Sequence, residues 1–175
     1  STIEEAVELL AGPTGSRVKD FAVEADQRPV VFMFPGLGDQ YAGMGWEIYC
    51  SETVFRDAMD ECFQRLNRLM DMDVKALLYP FDNDNKPIED NKLIGDHKLV
   101  EREEKLSDFG VAQAVIFSFE YALARWLTGN GIKPHAMIGY SFGEYTAACI
   151  SGVLTLEEIL EKLNKKEIFL GKNLF

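Results

Sequence analysis

Gly139-Tyr140-Ser141-Phe142-Gly143 sets a serine between two glycines. Ahead of it runs an apolar stretch from Pro134 to Gly139, and behind it an alanine-rich segment reaching Ile150. G-x-S-x-G between a strand and a helix is the context of a nucleophile elbow. The pattern restricts the fold, because a strand must pass directly into a helix over a tight turn. Small residues are needed two positions to either side of the serine, where the turn is strained. Such a turn lifts the Ser141 hydroxyl clear of the sheet. The helix behind it offers unpaired N–H groups and a positive dipole end. The Phe142 amide can then help to hold a developing oxyanion. The plain alternative is an ordinary glycine-bounded turn.

A second strand is expected earlier. Val30-Val31-Phe32-Met33-Phe34 is continuously apolar, with β-branched and aromatic residues, and ends at Pro35-Gly36. Such a run reads as a strand buried on both faces of a parallel sheet. The loop Gly36-Leu37-Gly38-Asp39-Gln40 follows, at the end of a parallel strand where α/β sheets bind ligands. It is no P-loop, since no G-K-[ST] follows, and it is a poor dinucleotide fingerprint. The Leu37 amide is a candidate second oxyanion donor.

Helices are expected over Glu52 to Arg68, with Val54, Phe55, Met59, Cys62, Phe63 and Leu66 at three- and four-residue steps, and over Val111 to Leu127. Thr155 caps a last helix, with Glu157 and Glu158 in its first turn and Lys162, Lys165 and Lys166 towards its end. Residues 71–106 hold a polar loop, Asp82 to Pro87, and a charge run, Glu101 to Lys105, both read as solvated surface. Residues 1–28 read as a linker or the tail of an upstream domain, with helical spacing over Thr2 to Leu10 and a break at Gly12 to Ser16. Strand–loop–helix units alternate, which gives an α/β class.

Charge and cysteines exclude several functions. Twenty-nine acids against 18 bases leave a formal charge of −11, which disfavours nucleic acid and anionic membranes. No apolar stretch is long enough to cross a bilayer, and the N-terminus has no signal-peptide pattern. Cys50, Cys62 and Cys149 are odd in number and scattered, and His97 and His135 are the only histidines, so neither a metal site nor a disulfide framework is expected. The thiols read as buried or half-buried in a reducing compartment, and the location as cytoplasmic.

Phe34-Pro35-Gly36-Leu37-Gly38-Asp39-Gln40 resembles the F-P-G-Q-G-x-Q opening of acyl-CoA:acyl-carrier-protein transacylases. Gly139-Tyr140-Ser141-Phe142-Gly143-Glu144-Tyr145 resembles their G-H-S-x-G-E-Y motif. Ala112-Gln113-Ala114-Val115-Ile116-Phe117 with Glu120-Tyr121-Ala122-Leu123 is similar to the T-Q-P-A-x-F…E-Y-A-L helix. Gly152 to Glu158 continues the likeness. The similarity runs from about Pro29 to Lys166 and includes the acyltransferase domains of polyketide synthases. It implies that residues 29–175 form the N-terminal part of such a domain: an α/β-hydrolase-like large subdomain, its parallel sheet flanked by helices and incomplete, without the ferredoxin-like small subdomain.

The resemblance implies a ping-pong mechanism with no bound cofactor. Ser141 takes an acyl group from acyl-CoA and passes it to the phosphopantetheine thiol of an acyl carrier protein, within reach of neighbouring synthase domains. Leu37 and Phe142 supply the oxyanion hole, Gly139 and Gly143 the elbow, and Gln113, Tyr140 and Lys166 line the substrate. Three positions depart from the pattern. Leu37 replaces a glutamine, but only its main-chain N–H is needed. Tyr140 replaces a histidine that is not the base, which bears on pocket shape. Lys166 stands where the family has an arginine for a malonyl-type carboxylate, and a lysine lacks the planar fork. The family's base is a histidine well downstream of the serine, and none follows His135 here. Two alternatives stand beside this reading: an α/β serine hydrolase, and a non-catalytic acyltransferase-like docking module.

Overall fold

The computed structural model describes residues 28–80 and 95–164, together with Val7; of residues 95–99 and Asn164 it describes the backbone alone. Asp108 starts the longest helix. Its carboxylate accepts hydrogen bonds from the N–H groups of Gly110 at 3.0 Å and Val111 at 3.3 Å. With two free amides capped, the apolar sequence behind it runs as a 21-residue helix, Phe109–Gly129. Its middle is buried nearly all round, from Val111 through Ala124, so it forms the spine of the core.

In chain order the described elements are β1 (Val31–Phe34), α1 (Trp46–Ser51), α2 (Thr53–Met70), α3 (Val74–Leu78), α4 (Gly95–Ser107), α5 (the spine), β2 (Ala136–Gly139), α6 (Gly143–Ile150) and α7 (Leu156–Asn164). Helix α2 lies along α5 and buries Phe55, Ala58, Met59, Cys62, Phe63 and Leu66 against it. Those positions recur at three- and four-residue steps, the spacing of one helix face. Val54 was expected on that face, but it points outward and is 46% exposed. The helix expected from Glu52 is α2, and a short helix that was not expected, α1, stands before it: Glu52 between them is extended, with φ −109° and ψ 107°, and its carboxylate accepts from the Trp126 indole N–H at 2.9 Å. The charge run 101–105 is surface as expected, yet it belongs to α4, whose Leu106 is buried.

Strands β1 and β2 pair in parallel, with Phe34 opposite Gly139. The crossover between them carries α5, the usual route between parallel strands. Phe32 and Phe34 pack on Ala124 and Leu127 of α5. The opposite face is open: Val31 is 45%, Met33 75% and Ile138 56% exposed. This corrects the expectation of strands buried on both faces, because the described residues place helices on one side only. Cys62 is buried and Cys149 half-buried as expected, but Cys50 is exposed. Burial holds the Cys149 thiol up at about 11 and the Cys62 thiol up at about 12, where both are inert. No described helix is long and apolar enough to cross a membrane.

The preface 1–28 lies outside the described residues apart from Val7 and Arg28, as does the polar loop 82–87. Lys165 and Lys166 also lie outside them, and with them the carboxylate-binding role expected of Lys166.

Candidate active site

The end of β2 fixes the site. The Tyr140 N–H donates to the Phe34 carbonyl at 2.9 Å, one step past the last strand pair. The chain then reverses through Ser141, whose φ of 53° is in the left-handed region. A non-glycine residue there costs about 1–2 kcal/mol, the strain expected of a nucleophile elbow. The N–H of Gly143 donates to the Tyr140 carbonyl at 3.0 Å and that of Glu144 to the Ser141 carbonyl at 3.2 Å, and α6 begins.

Both elbow glycines are required by close approach. A Cβ on Gly139 would collide with the backbone of Glu144, and one on Gly143 with the carbonyl oxygens of Phe34 and Pro35. Helix α6 therefore sits directly on the end of β1. Gly36 brings the first loop to the same place: a Cβ there would stand 3.4 Å from the Ser141 Cβ. Gln40 holds this loop, its side-chain oxygen accepting from the Gly38 N–H at 3.0 Å.

The predicted residues meet the geometry unevenly. Ser141 is exposed, and Tyr140 beside it is 76% exposed. Leu37 is half-buried and Phe142 buried. Neither the Leu37 nor the Phe142 N–H bonds any acceptor among the described residues, so two backbone donors remain free beside the serine. Gln113 is buried on α5, and its side-chain Nε2 has no acceptor among the described residues. A buried amide donor left unpaired costs about 1–3 kcal/mol, so a partner from a substrate would be favourable. His135 is exposed at the start of β2 and its N–H donates to the Val30 carbonyl at 2.7 Å. At about 3.3 Å per residue it lies roughly 20 Å along the strand from Ser141. It cannot reach the serine. The described residues contain no cluster of side chains able to hold a metal.

Sequence reasoning overlooked one pair beneath the elbow. Glu120 of α5 is 6% exposed and Thr146 of α6 is fully buried. The Thr146 hydroxyl donates to Glu120 Oε2 at 2.5 Å, and Oε1 has no partner among the described residues. Burial lifts the Glu120 carboxyl from 4.5 to about 7, against the opposing pull of Thr146. Glu120 also lines an open cavity of about 330 Å³ between β1 and α5, with Phe34, Met44, Ile116 and Asp39. The available signal was one glutamate in the buried, mostly apolar middle of that helix.

A serine on a left-handed strand–helix turn, with a glycine loop brought against it, defines an α/β protein of the nucleophile-elbow type. Residues 31–165 match the model of the acyl transferase domain, and the chain belongs to that family. The orsellinic acid synthase armB of Armillaria mellea is 36% identical over 157 residues, which cover 90% of this chain and 6% of that protein. Erythronolide synthase EryA2 of Saccharopolyspora erythraea is 34% identical over 163 residues, 90% of this chain and 4% of that one. Among solved structures, the acyl transferase domain of ZmaA superposes with a TM-score of 0.78 at 42% identity, over 93% of this chain and 34% of that one. The acyl transferase domain of SpnD, solved in complex with 2-(pent-4-yn-1-yl)malonyl, gives 0.67 at 33% identity, over 94% and 34%. The chain thus spans about a third of these solved domains and a small part of the curated relatives.

Proposed function

We propose that this chain carries the nucleophile and oxyanion hole of a polyketide synthase acyltransferase. Ser141 Oγ attacks the thioester carbonyl of an acyl-CoA and loses its proton to a base. In the family that this chain resembles, that base is a histidine well downstream of the serine. The tetrahedral oxyanion is held by the N–H groups of Leu37 and Phe142. Its collapse breaks the C–S bond, expels CoA as the thiol and leaves an acyl-serine ester. The phosphopantetheine thiol of a carrier protein then attacks the ester, takes the acyl group and returns the proton to Ser141. Gln113 offers its free Nε2 to the substrate, Tyr140 shapes the entrance, and Lys166 is the candidate partner for an acyl carboxylate. No bound cofactor or metal is required, and synthase neighbours supply the carrier.

The free Leu37 and Phe142 amides beside the left-handed Ser141 carry this reading. They favour it over a bare docking module, which has no use for a strained serine. Transfer to a carrier thiol, against release to water, separates it from a hydrolase. Intact-protein mass spectrometry with malonyl-, methylmalonyl-, acetyl- and longer acyl-CoAs tests it, using the sequence in its natural polypeptide. A mass gain of one acyl group is expected, and Ser141→Ala removes it. An unaltered acyl-enzyme yield in that variant would sink the mechanism.

A further inference from the structure

We propose that Thr146 and Glu120 are a positioning pair for Ser141. Their hydrogen bond ties the elbow's helix to the spine, so that the Phe142 N–H is held where the oxyanion forms. The inference rests on the acyl-transfer reading above, and it assigns a task to two residues outside the elbow motif.

A threonine inside a helix commonly returns its hydroxyl to the carbonyl four residues back. For Thr146 that acceptor would be Phe142. The hydroxyl instead crosses between helices to Glu120 Oε2 at 2.5 Å, a length typical of a charge-assisted O–H···O bond. Both residues are buried. A carboxyl is an expensive way to join two helices, because burial penalises its charge. An apolar pair would pack α6 on α5 at lower cost, but could slide. A hydrogen bond this short fixes both distance and direction.

The place of the bond matters more than its strength. Helix α6 is pinned at two points one turn apart. Gly143 is wedged against the carbonyls of Phe34 and Pro35, and Thr146 is tied to α5. Ser141 and Phe142 lie immediately before the first point. With Thr146 released, α6 can pivot about Gly143, and the Phe142 amide moves relative to Leu37. Oxyanion donors act in the transition state, so their displacement slows chemistry and leaves ground-state binding intact.

The test measures the acylation kinetics of Thr146→Val and Thr146→Ser in the natural polypeptide. Thr146→Val is expected to lower kcat by roughly ten- to a hundredfold with KM within about twofold, and Thr146→Ser to restore most of the rate. A wild-type kcat in Thr146→Val, or equal losses through KM, would overturn the proposal. Should Thr146→Val fail to fold, Glu120→Gln serves, since it keeps the shape but weakens the bond. The same loss confined to kcat is then expected, and its absence counts against the pair. Hydrogen exchange at the Gly143 and Glu144 amides gives a readout that needs no acyl donor. Thr146→Val should speed it and Thr146→Ser should not. Unchanged exchange overturns the pair even if the wild type takes no acyl group, an outcome that by itself would fell only the acyl-transfer reading.

Discussion

Glu120 is neutral more readily in the fold than in the unfolded chain, because desolvation outweighs the Thr146 hydrogen bond and lifts its carboxyl to about 7. The sign of the consequence follows from proton counting. Between the unfolded value, near 4.5, and about 7 the folded state binds more protons. Its stability therefore falls as pH rises through that window and levels off above it. The full swing is at most roughly 3 kcal/mol. Thermal unfolding of wild type and Glu120→Gln from pH 5 to pH 8 checks this: the wild type should lose ground to the variant as pH rises. A constant gap between the two would contradict it. Ser141 was legible in the sequence because its pattern is local: two glycines, a strand before and a helix after. The tie from Glu120 to Thr146 was not, because the partners are 26 residues apart and only the packing of α5 on α6 brings them together.

Elements were legible where periodicity or a cap marked them. Thr155 and Glu158 form the expected cap of α7: the Glu158 N–H donates to the Thr155 hydroxyl oxygen at 3.2 Å, and the Thr155 N–H to the Glu158 carboxylate at 2.8 Å. The spine helix was read from its apolar face, two residues short at each end. Its true start is set by Asp108, whose carboxylate serves two amides. Asp108→Ala should cost about 1 kcal/mol, and Asp108→Asn only a fraction of that. Equilibrium urea unfolding would show it, and equal midpoints for Ala and wild type would deny the cap its role. The start of α2 was legible at Glu52, but the short helix α1 before it was not, because six residues are too few to show a helical period. The extended residue between the two is held by the indole of Trp126, far along the chain.

At the scale of the whole molecule, the apolar composition of β1 was read correctly as sheet, but not its surroundings. Periodicity says that a run is apolar; it does not say which layers cover it. Register puts Val31 beside Ala136 and Met33 beside Ile138, so the exposed side chains line one face of the pair. Contiguous apolar surface of this kind favours association. The net charge of −11 opposes it, because like-charged copies repel. Which force wins depends on ionic strength: screening weakens the repulsion beyond roughly 8 Å at physiological salt and leaves apolar contact untouched. Residues 1–175 are therefore expected to self-associate more as salt is raised. Met33→Lys places a charge at the centre of the face, and should hold the chain at monomer mass under the same conditions. Met33 makes its contacts on the open face, so the change should move stability by less than about 0.5 kcal/mol. Sedimentation equilibrium at low and high salt decides the matter. Self-association that Met33→Lys leaves intact would place the contact elsewhere. A wild type that stays monomeric at high salt would show that this face does not drive association.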